Sequence, residues 1–340
     1  MESGLSIEIA ITLFLQSLGD WLSSLMRFFT FLGNEEFYLV IMPAIYWCVD
    51  ASMGLRTAIL LLISGCINTF FKILFHGPRP YWFDSRVRAF ISENSFGIPS
   101  GHAQNAMSIW GLFTTRIKKN WVLWASGLII FLIGLSRIYL GVHFLRDVIL
   151  GWAIGFLLLI GFLRLEKPVL NWFIQKKLVT QLILIFAAGI MLISFSLLPS
   201  IFLGSWQIPQ LWIQNAQTAA PGILLNPFDP EGVFSSSGAF FGMALGAVWI
   251  YRVQGFPKPG TFQQNIGRYV IGLLGVVLFW FVLGKIIPPI DGIPGYIIRY
   301  ARYTLIGLWI TGLAPLVFIK LHLATPNKTM SEIAINSTIG

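Results

Sequence analysis

Only 11% of the 340 residues are charged and 56% are hydrophobic, whereas soluble proteins carry about 25% charged residues. Apolar runs of about 18 residues or more recur along the chain, so the composition excludes an ordinary soluble protein and predicts several membrane-spanning helices. The net charge of +9 does not indicate a nucleic-acid partner, because a multi-span membrane protein needs basic cytoplasmic loops. Glu2 and Glu8 stand where a signal peptide would be basic, so we expect no cleavable signal.

Residues 1–34 are predicted to form an amphipathic helix, because polar side chains recur every three or four residues between positions 5 and 32. This polar stripe fits two arrangements. The helix either lies in the membrane interface or spans the bilayer with the stripe packed inward. The stripe consists of Glu8, Thr12, Gln16, Asp20, Ser23, Arg27 and Thr30.

The segments that follow have about the length that crosses roughly 30 Å of hydrocarbon, the third being short. Helices are the expected form, because the backbone finds no water in the bilayer. The sequence therefore predicts an all-α, polytopic membrane helical bundle, with about nine spanning helices plus the N-terminal amphipathic or spanning helix. The nine segments are 35–54, 55–76, 102–116, 121–139, 144–164, 178–198, 233–251, 266–287 and 296–323.

The distribution of Lys and Arg predicts the orientation of these helices. If the loop at 77–101 lies outside, the inward loops hold 13 of these residues and the outward side holds 9. Because cytoplasmic loops carry an excess of Lys and Arg, the loops at 77–101 and 137–146 are predicted to be extracytoplasmic, in the cell membrane.

Three segments place polar residues at the ends of apolar helices. In the first, Lys72 lies near a helix end, and Pro78 and Pro80 stop the helix so that Arg79 sits in the turn above it. Two cations at one helix end suit an anion. The same residues also fit a purely structural arrangement, in which the lysine extends to the membrane interface beside an interfacial arginine.

The second segment, Pro99-Ser100-Gly101-His102, opens the next apolar run. Ser100 is a natural N-cap, Gly101 allows close approach to the backbone, and the free N–H groups of a helix start attract phosphate oxygens. The pattern also fits a capping serine followed by an incidental interfacial histidine.

The third segment runs from Ser136-Arg137 to Asp147. Gly141 can end one helix, and Asp147 lies one turn beyond His143 on the next, so that both side chains share a face. The carboxylate can fix the tautomer of the imidazole and leave the other ring nitrogen free to attack. A purely structural His–Asp pair is the alternative.

The three segments together supply three cations, a backbone anion site and two histidines. One histidine can attack phosphorus while the other protonates the leaving oxygen, which is a phosphoryl transfer without metal. The spacing resembles the three-part signature of the type 2 phosphatidic acid phosphatase superfamily, in the segments Lys72 to Pro80, Pro99 to His102 and Ser136 to Asp147. The resemblance covers roughly residues 35–165.

The resemblance implies a role for each matched position. His143 would be the nucleophile that forms a phosphohistidine, Asp147 its orienting partner and His102 the general acid. The resemblance also implies metal-free chemistry without a cofactor, and the outward loops near the signature lack the carboxylate cluster that a magnesium site needs. The phosphate-binding residues would be Lys72, Arg79, Ser100, Gly101 and Arg137.

Membrane-bound members of this family dephosphorylate lipids such as phosphatidic acid, phosphatidylglycerol phosphate, sphingosine phosphate and undecaprenyl diphosphate. The resemblance therefore implies an integral membrane phosphatase that hydrolyses a phosphate monoester or diphosphate of a lipid, with membrane lipids as its other partners. A lipid phosphotransferase that uses the same histidine is an alternative, and a phosphate- or lipid-binding transporter is a third. The sequence specifies no oligomeric state.

Four regions are predicted along the chain. Residues 1–34 form the N-terminal helix and residues 35–165 the catalytic helical core. Residues 166–324 add transmembrane helices of unknown role, which are loosely similar to the C-terminal extension of sphingosine-phosphate phosphatases. Residues 325–340 form a polar C-terminal tail.

Overall fold

The regular structure of the protein is helical throughout the residues described by the computed structural model, which are 2–203, 206–256, 258, 260–287 and 290–326. The all-α expectation is thereby confirmed. The predicted tail at 325–340 lies outside the described residues, except for its first two positions.

The described part of the chain contains fifteen α-helices and three π-helical turns. The π-helical turns follow α3 at Ile45–Val49, join α12 to α13 at Leu278–Val282, and join α14 to α15 at Trp309–Leu313. The α-helices are α1 (Glu2–Ser17), α2 (Trp21–Phe31), α3 (Glu35–Ala44), α4 (Ala51–Phe75), α5 (Pro80–Phe83), α6 (Gly101–Arg116), α7 (Asn120–Tyr139), α8 (Leu145–Ile174), α9 (Leu178–Leu203), α10 (Gln210–Ala219), α11 (Glu231–Val253), α12 (Phe262–Val277), α13 (Leu283–Ile286), α14 (Gly292–Leu308) and α15 (Ala314–Lys320).

Seven helical stretches in the described ranges are long and apolar enough to cross a membrane, so the chain is a multi-span membrane protein. The sequence predicted about nine spanning helices, and the two predicted spans that are too short in the structure contain α3 and α6. α6 has 16 residues, about 24 Å of helix, which is less than the roughly 30 Å of hydrocarbon. α3 has 10 residues and, with its π-helical turn, stops at Asp50, whose backbone is extended. The seven stretches are Ala51–Phe83, Asn120–Tyr139, Leu145–Ile174, Leu178–Leu203, Glu231–Val253, Phe262–Ile286 and Gly292–Lys320.

The N-terminal region forms two helices, where the sequence predicted one. α1 and α2 are bent by 114° against each other. The break occurs at Gly19, whose φ of +107° is incompatible with a continuing helix and is readily adopted only by glycine. One residue of the predicted polar stripe, Gln16, is bound to other parts of the protein. Its Nε2 atom donates to the carbonyl oxygens of Arg88 at 2.9 Å and Tyr139 at 3.0 Å.

The chain divides into two compact units, and the first comprises Met1–Phe37, Ser64–Leu163 and Phe195–Asp229. Its core is rich in aromatic side chains, and each fully buried phenylalanine stabilises the fold by about 1.5–3 kcal/mol. α10 packs beside α5, where Asn215 donates from Nδ2 to the carbonyl oxygen of Trp82 at 3.0 Å. The aromatic residues buried here are Tyr81, Trp82, Phe96, Tyr139 and Phe144.

The second unit comprises Tyr38–Ile63, Arg164–Ser194 and Pro230–Gly340. Its core lies among α11, α12, α14 and the π-helical turns. Trp47 donates from Nε1 to the carbonyl oxygen of Ile310 at 2.8 Å, and an ion pair of 2.6 Å joins Arg56 to Glu166. The signature residues lie in the first unit.

Candidate active site

His143 lies in the turn between α7 and α8, and Gly141 forms that turn. The φ of Gly141 is +79°, and a Cβ atom there would lie 2.3 Å from the carbonyl oxygen of Arg88, so glycine fits and larger residues do not. α8 begins at Leu145 and carries Asp147 in its first turn. The Nδ1 atom of His143 lies 3.5 Å from Oδ2 of Asp147. The two side chains are adjacent as predicted, but His143 lies in the turn before α8 and not on the same helix as Asp147.

The His143 ring is enclosed by protein, with 1% of the residue exposed. Among the described residues, neither its Nδ1 atom nor Oδ1 of Asp147 has a hydrogen-bond partner, whereas Oδ2 of Asp147 accepts the N–H of Phe144 at 2.9 Å. Burial, together with nearby cations of which Arg79 has the largest effect, holds the pKa of His143 well below its usual range. The imidazole is therefore neutral near pH 7, the form that can act as a nucleophile.

The guanidinium of Arg79 faces the other ring nitrogen, with Nη1 at 3.4 Å from Nε2 of His143. Backbone carbonyl oxygens hold this fully buried side chain. The carbonyl oxygen of Ser95 accepts from Nε at 2.6 Å, that of Val142 from Nη1 at 3.0 Å, and that of Phe96 from Nη2 at 3.2 Å. The guanidinium is thereby fixed where it can bind an oxyanion whose phosphorus approaches Nε2.

Arg137 in the last turn of α7 lies beside His102 in the first turn of α6. The Nη1 atom of Arg137 is 3.5 Å from Nε2 of His102 and donates to Oγ1 of Thr30 at 2.5 Å. Nε2 of His102 also lies 2.8 Å from Oδ1 of Asn34. Thr30 was predicted only as a member of the polar stripe, and Asn34 lies in no predicted motif.

Ser100 is the N-cap of α6, and its Oγ atom accepts the N–H of Ala103 at 3.4 Å. The N–H of Ser100 donates to the carbonyl oxygen of Asp147 at 2.9 Å. This bond ties the start of α6 to the start of α8, so the second and third signature segments meet. Gly101 is the first residue of α6, where the N–H groups of the first turn have no partner within the helix.

Lys72 lies in the last turn of α4. Its Nζ atom donates to Oγ of Ser95 at 2.8 Å, and Nη2 of Arg79 donates to the same hydroxyl at 3.0 Å. Lys72 therefore contacts the rest of the group through Ser95, a residue that sequence reasoning missed.

Glu93 is a second missed residue, and it contacts both arginines. Its Oε2 atom lies 3.5 Å from Nη2 of Arg79, and its Oε1 atom pairs with Nη2 of Arg137. Burial alone would raise the pKa of Glu93, but Arg79, Arg137 and Lys72 hold it well below its usual range, so the side chain is a carboxylate. Only its position in the loop between two signature segments could have drawn attention to it.

The structure brings all eight predicted site residues into one group in the first unit. His143 contacts Asp147 and Arg79, Arg137 contacts His102, and Glu93 joins the two arginines. The backbone of Ser100 connects to Asp147, Gly101 follows Ser100, and Lys72 is joined through Ser95.

Two family models match the chain. The PAP2 superfamily model matches residues 54–170, and the model described as PAP2 superfamily phosphatase, transmembrane extension, matches residues 234–326. The first match contains all three signature segments. The second covers part of the additional helices predicted at 166–324 and ends two residues beyond them.

Similarity to individual proteins covers different parts of the chain. Phosphatidylglycerophosphatase B of Bacillus subtilis (strain 168) is 33% identical over 156 residues, which cover 41% of this chain and 72% of that protein. Glucose-6-phosphatase 3 of Homo sapiens is 30% identical over 180 residues, 46% of this chain and 52% of that protein, so this chain spans about half of its length. Sphingosine-1-phosphate phosphatase 1 of Rattus norvegicus is 26% identical over 329 residues, 86% of this chain and 71% of that protein. This last match confirms the predicted likeness to sphingosine-phosphate phosphatases.

Proposed function

Because the chain belongs to the PAP2 superfamily, we propose that it is an integral membrane phosphatase that hydrolyses a phosphate monoester or diphosphate of a lipid. The observation that carries this proposal is the environment of His143. One ring nitrogen lies 3.5 Å from the carboxylate of Asp147, and the other lies 3.4 Å from the guanidinium of Arg79. A neutral imidazole between an orienting acid and an anion-binding group is equipped to attack phosphorus.

The proposed reaction has two steps through a phosphohistidine. Nε2 of His143 attacks phosphorus, the bond from phosphorus to the lipid oxygen breaks, and His102 donates its proton to that oxygen. Water then attacks the phosphohistidine while His102 takes a proton from the water, which releases inorganic phosphate and restores both histidines. Asp147 would stabilise the positive charge that develops on His143, in the manner of other His–carboxylate pairs.

The phosphate would be held without a metal ion. Lys72, Arg79 and Arg137 supply three positive charges, and the start of α6 adds the hydroxyl of Ser100 and the backbone N–H of Gly101 in a favourable helix dipole. These groups can stabilise the charge on the equatorial oxygens in the transition state.

A lipid substrate is supported by an apolar groove in the same unit. The groove has a volume of about 610 Å³ and is lined by side chains of α1, α7 and α8. Two of the lining residues adjoin the site along the chain, since Ile138 follows Arg137 and Leu145 comes two residues after His143. An acyl or prenyl chain in this groove would keep its contact with the bilayer while its phosphate reaches His143.

We place the site on the extracytoplasmic side of the cell membrane, from the excess of Lys and Arg in the opposite loops. Arg86 in the loop before α6 and Lys118 after it are both exposed, so each can be replaced by a single cysteine. In a background without Cys48 and Cys66, a membrane-impermeant thiol reagent should label Arg86→Cys on intact cells and spare Lys118→Cys. The reverse result would put the chemistry in the cytoplasm.

The activity is tested by the release of inorganic phosphate from purified protein. The panel comprises lysophosphatidate, phosphatidate, phosphatidylglycerol phosphate, sphingosine phosphate and isoprenyl diphosphates. His143→Ala should abolish turnover while the protein remains folded, and His76→Ala, a histidine outside the signature, should retain it. Turnover near that of the wild type in His143→Ala would contradict the mechanism. Transfer of phosphate to an added lipid alcohol, in place of water, would identify a phosphotransferase.

A further inference from the structure

The proposed phosphate-binding cations already contact oxygen atoms of one short loop segment. Oε1 of Glu93 pairs with Arg137, and Oε2 of Glu93 lies 3.5 Å from Nη2 of Arg79. The hydroxyl oxygen of Ser95 accepts from Lys72 at 2.8 Å and from Arg79 at 3.0 Å. Three oxygens thus meet three cations, and three is also the number of terminal oxygens on the phosphate of a monoester.

We infer that the Glu93 carboxylate occupies the phosphate site between turnovers, and that the phosphate of the substrate displaces it. Glu93 would then be a built-in competitor that sets the affinity of the site for phosphate. This inference rests on the proposed function, because it assigns the displaced carboxylate and the substrate to the same cations.

The exchange is favoured by charge. A carboxylate carries one negative charge, so it offsets only one of the cations Lys72, Arg79 and Arg137. A phosphate monoester carries about 1.5–2 negative charges near pH 7 and has stronger acceptor oxygens. Phosphate can therefore replace the carboxylate, but its apparent affinity is reduced by the ion pairs that must first be broken.

The side chain can leave without moving the loop. The buried hydroxyl of Tyr81 donates to the carbonyl oxygen of Glu93 at 2.8 Å and accepts its N–H at 3.0 Å, so the backbone is fixed there. The carboxylate side chain is 27% exposed. Rotation about its own bonds can therefore carry it toward solvent while the backbone stays in place.

Glu93 is not needed to hold the arginines in position. Arg79 is fixed by three backbone carbonyl oxygens and Arg137 donates to Oγ1 of Thr30, all independently of the carboxylate. Removal of the charge at position 93 should therefore free the cations and leave their geometry intact. This property distinguishes a competitor from a structural partner.

The inference is tested by titrating detergent-purified protein with inorganic phosphate in a calorimeter. Glu93→Gln keeps the shape of the side chain and removes its charge, so the Kd for inorganic phosphate should fall about tenfold or more. The KM for the lipid phosphate should fall with it, while kcat stays within about twofold, because Glu93 takes no part in the chemical steps. Inorganic phosphate should also raise the melting temperature of Glu93→Gln more than that of the wild type.

Asp84→Asn is the matched control, since it removes a carboxylate from the same loop. Asp84 pairs with Arg86 at 2.6 Å and contacts none of the cations of the site, so the Kd for phosphate should not change. Glu93→Asp keeps the charge on a shorter side chain. It should tighten phosphate binding by a smaller factor, and it replaces Glu93→Gln if that variant does not fold.

An unchanged or higher Kd for phosphate in Glu93→Gln, or in Glu93→Asp in its place, would overturn the inference. A lower kcat at an unchanged Kd would overturn it as well, and would assign Glu93 to positioning the site. The titration requires no turnover. If the wild type binds phosphate, shows the predicted change at Glu93, and hydrolyses no lipid of the panel, the proposed function fails, while the competition between Glu93 and phosphate is upheld.

Discussion

Replacement of His102 by alanine removes the group that we propose protonates the leaving oxygen. General acid catalysis contributes about 10²–10⁴-fold to a rate, which corresponds to about 2.7–5.4 kcal/mol of transition-state stabilisation at 1.36 kcal/mol for each factor of ten. In the structure, Nε2 of His102 lies 3.5 Å from Nη1 of Arg137, so the proton donor stands beside a phosphate-binding guanidinium. We expect a loss in this range for a lipid substrate, whose leaving alkoxide is strongly basic.

The loss should depend on the leaving group. An aryl phosphate with an acidic phenol departs without full protonation, so the loss in His102→Ala should shrink to about tenfold or less. The assay compares kcat/KM of His102→Ala and wild type for an alkyl phosphate and for a nitrophenyl phosphate. His76→Ala serves as the control, because its ring packs against the rings of Trp206 and Phe96, at 5.0 and 6.3 Å between centroids, and is not one of the eight predicted site residues. Equal losses for both substrates would refute the assignment and make His102 a binding residue.

Three further predictions concern metal, pH and the apolar groove. A chelator should leave the rate unchanged and vanadate should inhibit, because its trigonal-bipyramidal adduct with His143 resembles the transition state; strict magnesium dependence with vanadate resistance would contradict this. Burial and nearby cations lower the pKa of His143, so below about pH 6.5 this side chain binds a proton in the unfolded chain but not in the folded protein. The stability of the folded protein should therefore fall as the pH drops below this value. His143→Ala should flatten this fall in melting temperature between pH 7 and 5, and an equally steep fall would argue against a buried neutral imidazole. Leu135→Trp should fill the groove and raise the KM for a long-chain lipid phosphate without affecting a short soluble one, whereas Leu128→Trp, on the exposed side of α7, should change neither.

The meeting of the three signature segments could be predicted from the sequence, because each lies at a helix end and the predicted spans 102–116 and 121–139 return the third segment to the side of the first two. The proximity of His143 to Asp147 could also be predicted from their spacing of four residues, although His143 lies in the turn before α8 and not on the helix itself. These predictions depend on local periodicity and on a topology rule, both of which can be read from a single sequence.

Glu93 and Ser95 could not be predicted in the same way. They lie in the loop between α5 and α6, which has no hydrophobic period, and their contacts with Lys72, Arg79 and Arg137 depend on how that loop folds back over the helix ends. The bend at Gly19 was missed for a related reason. An isolated glycine in an otherwise helical pattern is usually tolerated, and only its φ of +107° reveals that the helix stops there.

The N-terminal region contacts the candidate site even though it precedes the family match, which starts at residue 54. Asn34 lies 2.8 Å from Nε2 of His102, the atom expected to carry the proton for the leaving group, and Thr30 accepts from Arg137. α1 also contributes side chains to the apolar groove, among them Ala10. In the proposed mechanism the signature residues attack phosphorus, and the side from which the alcohol would depart is formed partly by residues 1–37. We therefore expect the choice of lipid to depend on this N-terminal region, and relatives that share the signature can differ in substrate without any change at His143, Asp147 or Arg79.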